Sequence, residues 1–110
     1  MNIKFRYLYR DGANYKNYNE VIFSNPNGIS LEIIENIIRE CLIDGVWFVA
    51  TKWNLPDMHF KEYSWDSDID HDWHEFEYLE QTLDSVTEKF SVEDFLNQIL
   101  QRKDLSPTVK

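Results

Sequence analysis

One cysteine, Cys41, leaves this 110-residue chain no intrachain disulfide to form. That fits a reducing compartment. Glycine is as scarce, with only Gly12, Gly28 and Gly45, so no Gly-rich loop exists to cradle a phosphate. The chain holds no Gly-x-Ser-x-Gly, no His-Glu-x-x-His and no paired Cys-x-x-Cys, and most standard enzyme signatures are missing with them. No apolar run approaches the ~20 residues of a membrane helix. The stretch after Met1 is charged and aromatic and lacks an apolar core with a small-residue cleavage site, so no signal peptide is expected. The expected location is the cytoplasm. Bases are the last shortage. Eleven Lys and Arg face twenty Asp and Glu, for a net charge of −9. An acidic body repels phosphate backbones, which argues against direct nucleic-acid binding.

What the chain does have is aromatic mass: four Trp, six Tyr and seven Phe. Each buried ring removes roughly 150–250 Å² from water, so these side chains are expected to supply much of the core. The length fits one domain, placed at residues 1–104 with a frayed tail at 105–110.

Hydrophobic periodicity sets the expected elements. Ile3, Phe5, Tyr7 and Tyr9 alternate with Lys4, Arg6 and Arg10, the mark of a half-buried antiparallel strand, and only Leu8 breaks it. Asp11-Gly12 signals a hairpin turn, although the polar residues through Asn19 leave room for a longer loop, and Val21 to Phe23 continue as a second strand. Ser30 is a good N-cap, with Ile29 and Ile34 at staple spacing. The helix it opens carries a stripe of Leu31, Ile34, Ile37, Ile38, Cys41 and Leu42, and Gly45 is its plausible stop. Cys41 on that stripe, toward the helix C-terminus, reads as a buried structural thiol rather than a nucleophile.

The continuous apolar run Val46 to Ala50 reads as a buried central strand. Met58 to Tyr63 alternates weakly and is an optional strand, and His74 to Gln81 is another, with Phe76 and Tyr78 inward. A second helix is capped by Ser91, presents Phe95, Leu96, Ile99 and Leu100, and carries Arg102 and Lys103 at its end. The expected fold is therefore α+β in the order ββαβ(β)βα. Four to five mainly antiparallel strands carry two helices on one face.

Charge is unevenly placed. From Asp57 to Glu80 nine acids face one base, Lys61, giving −8, whereas residues 1–16 give +3. Within the acidic stretch, Asp66, Asp68, Asp70, Asp72 and Glu77 occupy relative positions 1, 3, 5, 7 and 12, the oxygen-ligand positions of a twelve-residue calcium loop. Calcium takes six to eight oxygens, which such a loop can supply. The pattern departs at position 6, where His71 replaces the turn glycine, and at position 8, the bulky Trp73. His71 and His74 sit three apart among carboxylates, a set that suits zinc or another transition metal, with His59 a possible third nitrogen. In a strand their odd separation would send them to opposite faces. The candidate metal set is Asp66, Asp68, Asp70, His71, His74 and Glu77, with a solvated loop as the plainer alternative. Glu75 and Glu77 would share a strand face, and nothing marks them as an acid–base pair.

Trp65 and Trp73 flank this stretch, and large aromatics beside carboxylates resemble interface anchors and attract cations. The candidate partner-binding set is Trp65, Asp66, Asp68, Asp70, Asp72, Trp73, Glu75 and Glu77. No catalytic residue stands out. Two functions fit the sequence. One is a non-catalytic interaction module, of the kind found among inhibitors, immunity proteins and anti-defence proteins, that offers an acidic surface to a basic protein. The other is a metal-binding protein, in its enzymatic version a small metal-dependent hydrolase. The basic strand face of Lys4, Arg6 and Arg10 could hold phosphate or pair with the acidic stretch, but the expected reading is a solvated surface.

Overall fold

A computed structural model of the chain describes residues 1–58 and 73–105, and side chains up to residue 101. Strand β1 (Asn2–Arg10) pairs antiparallel with β2 (Lys16–Phe23) as a hairpin. Helix α1 (Leu31–Cys41) follows, then β3 (Trp47–Val49), a 3₁₀ turn (Ala50–Trp53), β4 (Trp73–Thr82) and α2 (Val92–Leu105). The sheet order is β2-β1-β4-β3, with every pairing antiparallel. The expected α+β class, helix positions and hairpin are thus found. The optional strand lies almost wholly in 59–72, outside the described residues, as do residues 106–110 of the expected tail. No described helix is long and apolar enough to cross a membrane.

β1 organises the core because it is a central strand with one wholly apolar face. Ile3, Phe5 and Tyr7 are fully buried, and Tyr9 is nearly so. The Phe5 ring meets five others: Tyr7, Phe48, Trp53, Phe76 and Phe95, with centroids 5.2–6.5 Å apart. Phe48 stacks on Trp53 at 4.5 Å, and Phe95 of α2 stacks on Phe23 at 4.6 Å, so the aromatic set ties both ends of the sheet to α2. Ile34 and Ile38 of α1 and Leu96 and Ile99 of α2 close the same layer. Such ring pairs contribute about 0.5–1.5 kcal/mol beyond the area they bury.

Both helix starts carry the expected caps. Ser30 Oγ accepts from the Ile33 N–H at 3.2 Å, and Ser91 Oγ accepts from the Asp94 N–H at 3.2 Å. Each cap satisfies one of the amides that a helix start leaves without a partner. Cys41 is half-buried against the core. Gly45 does not end α1, which closes at Leu42. Asp44 and Gly45 instead take φ of 53° and 73° in the turn that bonds Ile43 to Trp47. Glycine adopts that conformation without the steric cost a side chain carries.

Three strand expectations are corrected. β2 begins at Lys16 rather than Val21. Asp11 Oδ1 accepts from the amides of Ala13 and Tyr15, and Asn14 at φ 71° completes a three-residue loop, so the polar residues 16–20 are left to pair. The apolar run at Val46 to Ala50 is an edge strand of three residues, not a central one. Finally, Tyr78 faces outward and is 37% exposed. The register with β1 shifts between Arg6 and Tyr7, pairing Arg6 with Tyr78 but Tyr7 with Phe76, so Glu77 is the extra residue of a bulge. That single insertion changes parity, and Leu79 takes the inward position opposite Phe5.

Two predictions rest on this packing. Phe5→Ala should cost about 3–5 kcal/mol in urea denaturation, since it empties the point where six rings converge. Tyr7 donates its hydroxyl to the Pro56 carbonyl at 2.6 Å and accepts from Asn19 at 3.0 Å. Burial pushes its pKa up to about 12, against a smaller lowering by the Asn19 hydrogen bond. The unfolded chain loses this proton first, near pH 10. Stability should therefore be intact below pH 10 and fall as pH rises toward 12, by no more than about 2 kcal/mol. The corresponding denaturation series on Tyr7→Phe should lack that part of the decline.

Candidate interaction surface

Because both helices cover one face of the sheet, the side chains of alternate parity are left on a helix-free face. The register lays them out in rows. Ile22, Lys4 and Glu80 form one, and Glu20, Arg6 and Tyr78 the next. Tyr18, Leu8, Glu75 and Trp47 form a third. Leu8, the residue that broke the sequence alternation, sits in the middle of the third row and is 5% exposed.

The basic residues of β1 are not open on this face. Lys4 Nζ lies 3.8, 3.4 and 3.6 Å from carboxylate oxygens of Glu20, Glu80 and Asp84. Arg6 bonds Glu20 at 2.8 Å and also Glu77. Arg10 grips Glu75 with two bonds of 2.7 and 3.2 Å. Burial pulls the Lys4 pKa down, but the Glu80 hydrogen bond and the charges of Glu20, Glu80 and Asp84 outweigh it and raise it above its ordinary value. Hydrogen bonds to Glu20 and Glu77 likewise raise Arg6. The expectation of a solvated basic face is corrected: Lys4, Arg6 and Arg10 are paired with acids.

Among the described residues, five carboxylates (Glu20, Glu75, Glu77, Glu80 and Asp84) against four cations (Lys4, Arg6, Arg10 and the exposed Lys16) leave the face net negative by one. Aromatic rings stand beside the charges. Tyr18 lies under the Arg6 guanidinium at 4.7 Å and is 42% exposed. Trp73 is 40% exposed and stacks on Trp47 at 5.3 Å. Trp73, Glu75 and Glu77 of the expected partner-binding set are therefore gathered here. The remainder, Trp65, Asp66, Asp68, Asp70 and Asp72, lies outside the described residues.

His74 goes the other way. It is 1% exposed on the helix side of β4, between Tyr7, Tyr9 and Phe48 at 5.3–5.9 Å. Its Nε2 accepts the Met58 N–H at 3.0 Å. Asp57 Oδ1 is 3.4 Å from the same nitrogen. Of the expected metal set, His74 and Glu77 thus point to opposite faces, while Asp66, Asp68, Asp70 and His71 lie outside the described residues, as does His59. Among the described residues no three of His, Cys, Asp and Glu are grouped to hold a metal ion.

His74 and Asp57 line a recess of about 60 Å³ with Val49, Ala50 and Thr51. An imidazole beside a carboxylate is an ingredient of acid–base chemistry, but the recess is far below the ~300 Å³ of small-molecule pockets. It has room for a water or two. No spacing pattern signals the pairing of Asp57 with His74, which folding creates across a separation of seventeen positions. What His74 does is hold a chain segment. Met58 bonds it by the amide, Asn17 Nδ2 donates to the Met58 carbonyl at 2.8 Å, and Tyr7 takes Pro56. Met58 and Trp73, the residues on either side of 59–72, are both anchored on the sheet.

Comparison with models of known protein families, with curated proteins and with solved structures finds no match to this chain.

His74→Leu should cost about 1–3 kcal/mol in stability, because it leaves the Met58 amide without its acceptor. Hydrogen exchange should show the Met58 amide opening faster in that variant than in the parent.

Proposed function

We propose that the protein is a cytoplasmic, non-catalytic interaction module that presents an acidic, aromatic surface to a basic protein. One observation carries this reading: the helix-free sheet face holds more carboxylates than it needs to neutralise its own cations, beside exposed Trp73 and Tyr78. The sequence adds Trp65, Asp66, Asp68, Asp70 and Asp72 immediately before that face. In this reading the aspartates speed encounter with a cationic partner, and Trp73 supplies contact area once the partner arrives. An inhibitor, immunity or anti-defence role fits such chemistry, since an acidic surface can occupy a groove built for phosphates.

The test is capture of basic proteins by the immobilised chain over a salt series, with a polylysine peptide as a control for charge alone. Asp68→Lys with Asp70→Lys should abolish capture and flatten its salt dependence. Trp73→Ala should weaken capture of a specific partner by tenfold or more while leaving polylysine binding nearly unchanged. Capture that survives the charge reversal with the same salt dependence would overturn the reading. A thermal melt in EDTA and then with calcium, zinc, manganese or magnesium bears on the metal-binding alternative. Saturating metal at about 100 times its dissociation constant would add ~2.7 kcal/mol and raise the midpoint by several degrees.

A further inference from the structure

The two edges of the sheet are finished differently. β3 is three residues long, and the Trp47 amide and carbonyl are both taken by Ile43, at 3.0 and 2.7 Å. β2 is eight residues long, and among the described residues its edge is closed only at one end. There the Ile22 carbonyl accepts from the amides of Thr87 and Glu88, and the Ile22 amide donates to Thr87 Oγ1 at 2.8 Å.

The hydrogen-bond alternation fixes which residues of β2 face outward. Asp11 donates its amide to the Tyr15 carbonyl, so Asp11 and Tyr15 form a bonded pair, and so do Tyr9 with Asn17 and Tyr7 with Asn19. Lys16, Tyr18 and Glu20 have the opposite phase. Their amides and carbonyls point away from β1, as those of Ile22 do, and among the described residues these six groups have no backbone partner. Lys16 also differs from the bases of β1: it is exposed and forms no ion pair among the described residues.

We infer that this open stretch of β2 pairs antiparallel with β2 of a second copy of the chain, about a two-fold axis at Tyr18. An axis there sets Lys16 opposite Glu20 of the second copy, Glu20 opposite its Lys16, and Tyr18 opposite its Tyr18. All six outward groups are then satisfied, two in each of three bonded pairs. The charge pattern favours this occupant. Edge lysines ordinarily oppose strand addition, but here the symmetry places each one against a carboxylate. The hairpin turn at 11–15 and the Thr87 closure at Ile22 bound the window, and this register uses every free position between them. The side chains of all three residues lie on the helix-free face, so a pair of copies continues that face across an eight-stranded sheet. So short a seam buries less than the ~1,200 Å² of stable complexes, and the dimer is a transient one that forms at raised concentration.

Sedimentation of the full chain over a concentration series tests this. The parent should show a reversible monomer–dimer equilibrium. Lys16→Glu sets four carboxylates across the seam and should raise the midpoint concentration at least about tenfold, as should Glu20→Lys with the opposite charge. Mixing these two variants should restore association, because each seam pair is then again Lys against Glu. Tyr18→Pro, which removes an edge amide without breaking the pairing to β1, should remain folded by circular dichroism and be monomeric. A parent that stays monomeric to millimolar concentration would overturn the inference. So would a dimer that is indifferent to Lys16→Glu, or variants that fail to associate when mixed.

Discussion

The packing of Phe5 against five other rings is the constraint from which the rest of the structure follows. β1 can satisfy that packing only as a central strand, flanked by β2 and β4, with α2 laid over it through Phe95. Once its apolar face is committed inward, its opposite face must hold Lys4, Arg6 and Arg10 in the middle of a sheet rather than at a rim. Cations placed there need carboxylates close by, and the flanking strands supply them: Glu20 from β2, and Glu75, Glu77 and Glu80 from β4. The charged face is thus a consequence of the core. Its ion pairs are partly exposed, and pairs of that kind contribute little to stability. What they add is register and surface character.

The bulge at Glu77 reconciles the two faces of β4. Without it, strict alternation would turn Tyr78 into the core and leave Leu79 outside. With it, Phe76 and Leu79 both meet β1 on the helix side, while Glu75 and Glu77 reach Arg10 and Arg6 on the other. The inserted residue is therefore an arginine ligand. The same strand carries His74, whose buried imidazole holds the Met58 amide on the helix side, next to Trp73, which stacks on Trp47. Adjacent residues of one strand thus anchor the chain on both sides of the sheet.

Much of this was legible beforehand, for identifiable reasons. The Ser30 and Ser91 caps, the α1 stripe and the alternation of β1 are local patterns, and local patterns survive whatever the rest of the chain does. The failures have a common cause. The polar residues 16–20 looked like loop because strand pairing to β1, a tertiary matter, is what makes them strand. Val46 to Ala50 looked central because a continuous apolar run does not say whether its outer face meets a helix or only Trp73. Leu8 looked like a defect in the alternation, yet it is buried on the helix-free face between Tyr18 and Glu75.

Composition and periodicity by themselves determined an acidic α+β chain with an aromatic core, the order of its elements, and a surplus of carboxylates around β4. These are properties of residue type and spacing, and hydrophobic burial reads them directly. Only the tertiary structure decided which acids meet which bases, that His74 turns inward while Glu75 and Glu77 turn outward, and that β2 keeps an open edge among the described residues. Each of those depends on strand order and on a one-residue shift in register. Neighbouring strands are brought together by the whole fold, and no stretch of sequence carries the identity of the strand that will lie beside it.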